Sequence, residues 1–262
     1  IAFGGGFFTE DGKGLVFANA LFEDTYGLAY MPLEQPEQVV KVKFDGLAHS
    51  GVGEFEGLEP LENGRFLIQF NIDGASWVYE AEYDSELRVM RALNILVGKG
   101  MLSEGVLEAI KYDEQTDRFA VAFSTAISPT QIYTIEGRDR DKLVRHTNEM
   151  ILGIPEEHLS RGEDQSYTSF DGLRISARLY MPSEELGYAG KRPLVYYLHG
   201  GPQGQERPDF SWFSMPLIQF LTLQGFAVFV PNVRGSTGYG LSYTKHVDRD
   251  WGGQDRLDHV HA

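Results

Sequence analysis

The sequence predicts two architectures in series: antiparallel blades of a β-propeller over roughly the first 150 residues, then an α/β sheet. Three observations predict it. Strand-like runs recur about every 50 residues between Gly12 and Arg145. Two short apolar runs, Leu194 to Leu198 and Phe226 to Val230, each end in a glycine-rich loop, with a helix-forming stretch between them. Acid is also unevenly spread. Residues 1–150 hold 25 Asp and Glu against 13 Lys and Arg, whereas 151–262 hold 13 against 10.

The first region is read from its repeat. Leu15 to Ala18, Phe66 to Phe70 and Phe119 to Phe123 lie 51 and 53 residues apart. Each is followed by a strand carrying a tyrosine: Leu28 to Met31, Trp77 to Ala81 and Gln131 to Ile135. Further short strands fall at Val39 to Phe44, Leu87 to Leu93 and Val106 to Tyr112, punctuated by turns such as Asp11-Gly12 and Glu62-Asn63-Gly64. Units of this length with about four strands suit propeller blades, which bury their faces by stacking on neighbours. A β-sandwich of regular spacing is the alternative. Only about three units fit, fewer than the four to eight that close a ring, so an open arc with residues missing upstream is expected.

Thr147 to Tyr167, with little strand signal, reads as the crossover between domains. Arg174 to Tyr180 alternates after Asp171-Gly172 and reads as an outer strand; Ser183 to Arg192 is a polar surface loop. Leu194 to Leu198 is continuously apolar, which predicts a strand covered on both faces. Ser214 to Gln224 suits a helix, closed by Gly225 as its C-cap, and a last helix begins near Asp255.

Composition narrows the chemistry. The chain has 262 residues, 42% of them hydrophobic, and no apolar run of the roughly 18 to 20 residues needed to cross a bilayer as a helix. Zero cysteines excludes disulfides, thiolate catalysis and Cys-containing zinc sites. A net charge of −15 argues against a nucleic-acid partner. No HExxH is present, so neither a metal nor a cofactor is expected.

Ligand chemistry in such a sheet sits just past the carboxyl ends of its strands, here HGGPQG at 199–204 and NVRGSTGYG at 232–240. A glycine loop after a strand can turn backbone N–H groups toward one point, which suits an oxyanion. Phosphate binding and a plain sharp turn are the alternatives, although neither GxGxxG nor GxxxxGK[ST] is present. His199 is expected to shape its own loop rather than act as a base. Ser236 has Gly238 after it but Arg234 before it, so it fails the G-x-S-x-G pattern of a nucleophile elbow. Arg234 could clamp a carboxylate or brace neighbouring loops.

Taken together, HGGPQG, QGFAVFVPNVRGSTGYG at 224–240, Trp251-Gly252-Gly253 followed by Asp255 and Asp258, and SFDGLRISARLYMP at 169–182 resemble the prolyl oligopeptidase family of serine peptidases, in its acylaminoacyl-peptidase-like and dipeptidyl-peptidase-like branch. The resemblance covers about residues 165–262. It implies the C-terminal part of a β-propeller over 1–150 and the N-terminal half of an α/β-hydrolase domain over 151–262, the chain stopping before the nucleophile elbow. It places an oxyanion-hole N–H on Gly201, with His199 where other branches carry a tyrosine. His199, Gly200, Arg234, Gly235, Gly238 and Tyr239 would shape the site, and Trp251 with Gly252 would be a structural anchor.

The function so implied is hydrolysis of short peptides, of aminopeptidase, acylaminoacyl-peptidase or dipeptidyl-peptidase type, through an acyl-enzyme. The partners would be a short peptide and the remainder of the same polypeptide, carrying Ser, Asp and His; self-association into a homo-oligomer stays open. The cytoplasm is the expected location, with secretion the alternative. An esterase or lipase-like hydrolase and a non-catalytic propeller-hydrolase scaffold are the competing functions. The 262 residues alone are expected to be inactive and to fold poorly.

Overall fold

The computed structural model describes residues 3–151, 153–210 and 213–262. Its first part is built from three runs of four antiparallel strands. The first comprises β1 (Phe3–Phe8), β2 (Gly14–Asn19), β3 (Gly27–Pro32) and β4 (Val40–Asp45). The second comprises β5 (Gly53–Pro60), β6 (Arg65–Ile72), β7 (Ala75–Asp84) and β8 (Val89–Val97). The third comprises β9 (Gly105–Asp113), β10 (Arg118–Thr125), β11 (Ser128–Glu136) and β12 (Lys142–Arg145). The three repeat runs read from sequence are β2, β6 and β10, and the tyrosine strands are β3, β7 and β11. One feature departs from separate units: β4 pairs in parallel with β8 over Lys43–Asp45 and Val89–Arg91, which joins the first two runs into one eight-stranded sheet.

Side-chain alternation explains the stacking. Along β6, Phe66, Ile68, Phe70 and Ile72 enter a core shared with Val16, Leu28, Tyr30 and Val42 of the first run. Leu67, on the opposite face, enters a second core with Val78, Val97, Phe119, Val121 and Ile135. The middle run is therefore apolar on both faces and is covered from both sides.

The strand signal fails at β1 (FGGGFF) and β5 (GEFEGLEP), which the sequence reading missed. Glycine is required there by close approach: an added Cβ would lie 2.6 Å from the Val16 carbonyl at Gly6 and 1.9 Å from the Asn71 carbonyl at Gly53.

A buried ion network ties the second run to the third. Glu80 of β7 accepts from Arg140 Nε and Nη2, each at 2.9 Å, from Asn94 Nδ2 at 3.0 Å, and from Arg65. Arg140 also reaches the carbonyl and carboxylate of Asp117, at 2.9 and 2.8 Å. Burial would raise the Glu80 pKa, but the bonds from Arg140 and Asn94 outweigh it and hold the carboxyl below its ordinary 4.5. A depressed carboxyl pKa stabilises fully above the unfolded value, and that stability is lost as pH falls through the folded one. Glu80→Gln is expected to cost about 2 kcal/mol at pH 7, the scale of hydrogen bonds to a charged group. Urea titrations at pH 7 and pH 4 should show the gap to wild type shrinking at the lower pH; a gap that stays constant would refute the linkage.

The second part is a mixed sheet in the order β13-β14-β16-β15. β13 (Glu163–Thr168) and β14 (Arg174–Tyr180) form an antiparallel hairpin, β14 pairs antiparallel with β16 (Ala227–Asn232), and β16 runs parallel to β15 (Leu194–Tyr196). The crossover between the parallel strands contains α1 (Ser214–Leu223), closed by Gly225 at φ +87. Two further helices are α2 (Leu241–Lys245) and α3 (Gln254–His261).

One sequence reading is corrected here. The crossover assigned to 147–167 contains β13, whose exposed polar residues carried no strand signal. Among the described residues β15 pairs with β16 alone, and Leu194 and, just past the strand, Leu198 stand 57% and 54% exposed. α1 is a helix as read: it buries Met215 and Ile218 in a core with Val228 and Val230, buries Ser214, Gln219 and Thr222 beside them, and exposes Leu217 and Phe220. Gln219 bonds the Ala126 and Ser160 carbonyls and the Ser160 N–H, each at 2.8 Å, and so ties α1 to the β-rich part.

Candidate functional site

The parallel pairing of β15 and β16 delivers both glycine loops side by side at the carboxyl ends of their strands. Register runs Leu194↔Ala227, Val195↔Val228 and Tyr196↔Phe229, and Tyr197 donates to the Phe229 carbonyl at 2.9 Å. HGGPQG and NVRGSTGYG therefore start at one level and meet. Thr237 N–H donates to the Gly204 carbonyl at 3.0 Å, and Glu206 N–H to Asn232 Oδ1 at 2.8 Å. Asn232 Nδ2 in turn donates to the Tyr239 hydroxyl at 2.8 Å.

His199 links the two loops. Its Nδ1 lies 3.0 Å from the Gly200 carbonyl and its Nε2 lies 3.1 Å from Ser236 Oγ. A carbonyl can only accept, so Nδ1 carries the proton and Nε2 of the neutral ring accepts from the hydroxyl. Burial lowers the His199 pKa, which favours the same neutral form. Both ring nitrogens are thus engaged within the loops. Ser236 is fully buried and cannot meet a substrate carbonyl.

Gly200 and Gly201 are exposed, and among the described residues nothing accepts from the Gly201 N–H. Gly201 has φ +141, and a Cβ there would lie 2.6 Å from the Gln203 nitrogen, so only glycine suits the turn. The peptide from Gly201 to Pro202 is cis.

Arg234 follows β16 and is wholly buried. Its five N–H bonds are all used: Nε and Nη2 reach Asp258 at 2.8 Å each, Nη1 and Nη2 reach Asp171 at 2.9 Å each, and Nη1 reaches Gln254 at 2.7 Å. The guanidinium also lies 4.8 Å from the Phe170 ring centre. It clamps carboxylates of its own chain, which is bracing: the end of β16, the β13–β14 turn and α3 are held by one side chain. Its hydrogen bonds hold the Asp171 carboxyl down at about 2.

The other loop residues divide. Gly235 packs under Val247, whose side chain an added Cβ would meet at 2.7 Å, and the Tyr239 ring lies 5.1 Å from Tyr243. Trp251 stands 64% exposed ahead of α3, where Gly252 N–H donates to the Asp255 carboxylate and Gln254 N–H to that of Asp250. His259 packs on β15, with Nδ1 3.2 Å from the Tyr196 hydroxyl.

Sequence reasoning missed two groups. Glu206, in the loop after HGGPQG, is buried beside the Ser214 hydroxyl at 3.0 Å, and burial pushes its pKa up to about 7. Charged residues directly after a glycine loop were a signal available for it. Asp24 and Glu54, from the β-rich part, bond the 238–242 backbone; at 184 to 218 residues of separation no sequence pattern could indicate them. Among the described residues no cluster of His, Asp and Glu could hold a metal ion, and no helix is long and apolar enough to cross a membrane.

Residues 211–262 match the family model described as the prolyl oligopeptidase family. An uncharacterized peptidase, YuxL, of Bacillus subtilis (strain 168) is 29% identical over 150 residues, which are 57% of this chain and 22% of the relative. A probable dipeptidyl-peptidase 5 of Aspergillus terreus is 37% identical over 102 residues, 38% of this chain and 14% of the relative. Among solved structures, prolyl oligopeptidase B from Galerina marginata superposes with a TM-score of 0.72 at 17% identity, covering 97% of this chain and 34% of that one. The likeness in fold thus runs through both parts, while the chain spans about a third of that structure's length and less of the two sequence relatives.

Proposed function

We propose, from the match of residues 211–262 to the prolyl oligopeptidase family model, that this chain is part of a serine peptidase acting on short peptides. On this reading 1–150 are blades from the C-terminal part of a β-propeller and 151–262 are the N-terminal half of an α/β-hydrolase domain. Serine, aspartate and histidine of the triad come from the remainder of the polypeptide. The carrying observation is the Gly201 N–H, which lies exposed and without an acceptor among the described residues, beyond the carboxyl end of β15. A backbone donor in that setting stabilises the oxyanion formed when a serine attacks a peptide carbonyl, and the acyl-enzyme then hydrolyses.

The site favours a peptidase over a binding scaffold because the loop is braced as a catalytic loop must be. His199, Thr237 and Arg234 hold it and its neighbour through hydrogen bonds, while Gly201 itself is left open. A full-length polypeptide carrying this chain is expected to react with a fluorophosphonate serine probe and to release chromophore from aminoacyl, dipeptidyl or acyl-aminoacyl anilides. The 262 residues alone should do neither, since no serine among them has the elbow pattern. Failure of the full polypeptide to label would support the scaffold, and turnover of simple esters without anilides would support an esterase.

A further inference from the structure

Four backbone N–H groups, two in the second glycine loop and two at the start of α2, are satisfied by the β-rich part of the chain. Glu54, near the start of β5, accepts from Gly238 N–H through Oε1 at 3.0 Å and from Gly240 N–H through Oε2 at 2.8 Å. The Asp24 carbonyl accepts from Leu241 N–H at 2.9 Å, and its carboxylate accepts from the Ser242 N–H at 2.8 Å and the Ser242 hydroxyl at 2.6 Å. Gly238 and Gly240 have φ of +93 and +100, a backbone form that turns successive amides toward one acceptor and disfavours any side chain. Space demands glycine as well: an added Cβ at Gly240 would lie 2.4 Å from the Asp24 carboxylate.

The same loop faces the candidate oxyanion loop on its other side. Thr237 N–H donates to the Gly204 carbonyl at 3.0 Å, and the buried Ser236 hydroxyl bonds His199. Residues 236–240 are thus a bridge, with Glu54 at one end and the loop carrying Gly201 at the other. Glu54 has no cation in ion-pair contact among the described residues, while Asp24 and Glu56 stand near it. A partly buried carboxylate without a counter-cation is costly, and here its compensation comes from the two glycine amides alone.

We propose that Glu54 is a positioning residue: its carboxylate sets the 236–240 loop, and through it the placement of the Gly201 N–H. Seating of the β-rich part on the second part would then tune the oxyanion donor, beyond joining two pieces of the chain. The proposal rests on the peptidase reading for its kinetic consequence but not for its structural one.

The test uses Glu54→Gln and Glu54→Asp in the full polypeptide. Glutamine keeps the shape but offers one acceptor oxygen and a misplaced donor; aspartate keeps both oxygens one methylene short. Glu54→Gln is expected to lower kcat about tenfold, the worth of roughly 1.4 kcal/mol, with KM within twofold, and Glu54→Asp to recover part of the loss. Amide hydrogen exchange, read without any substrate, should rise severalfold at 236–240 and also at 199–204. A lower Tm with kcat and exchange at 199–204 unchanged would make Glu54 simple interdomain adhesion and overturn the proposal. A change confined to KM would overturn it in favour of a substrate contact. Absence of turnover in the wild type would sink the peptidase reading, and exchange at 199–204 would still decide for or against the bridge.

Discussion

Arg234→Met is expected to destabilise the protein by about 3 to 5 kcal/mol, the cost of removing one partner from a buried ion pair. The guanidinium and its partner Asp258 are both wholly buried, and the Asp258 carboxylate also accepts from the Arg234 backbone N–H at 3.1 Å and from Ser169 Oγ at 2.5 Å. Methionine fills much of the volume but donates nothing, so Asp258 keeps a charge that two weaker donors must hold. Asp258→Asn should cost less, because the amide still accepts from Arg234, while Asp171 continues to balance the guanidinium. Combining Arg234→Met with Asp258→Leu should recover part of the single loss, since no buried charge remains unpaired. Urea denaturation of the three variants decides this. A loss below about 1 kcal/mol for Arg234→Met would show that the cluster contributes little beyond its packing.

The second large effect concerns turnover. On the peptidase reading, Gly201→Pro in the full polypeptide is expected to lower kcat by about a hundredfold to a thousandfold, the cost of one oxyanion donor. Proline removes the N–H outright, and its fixed φ near −65° is incompatible with the +141 seen here, so the loop must also shift. Gly201→Ala keeps the donor, but its Cβ would meet the Gln203 nitrogen at 2.6 Å, so it reports displacement of the loop rather than loss of the group. Gly200→Ala has open space around its Cβ and should fold like the wild type. Steady-state kinetics beside circular dichroism separate these effects. A folded Gly201→Pro protein with undiminished kcat would reduce the loop to a structural turn.

How much was legible in advance follows the range of the forces involved. Period-two alternation in β2, β6 and β10 is local, and stacking four-stranded runs on both faces of the middle one demands it, so the repeat could be read directly. The parallel strands, the intervening helix and the glycine loops beyond their ends were equally open to reading, because apolar runs, caps and glycines act within a few residues of themselves. Strands β1 and β5 were hidden, since their glycines are chosen by a neighbour's carbonyl and not by local strand preference.

The site divides along the same line. Sequence alone showed that two glycine loops follow apolar strand runs and that Ser236 lacked the elbow pattern, because residue type sets both. Tertiary structure alone decided that Arg234 serves Asp258 and Asp171 and that Gln219 of α1 reaches Ala126 and Ser160. It alone brought Glu54 and Asp24 to the backbone of 238–242. Hydrogen bonds act over about 3 Å, and across nearly two hundred residues only the packing of one sheet against another can bring such partners within that reach.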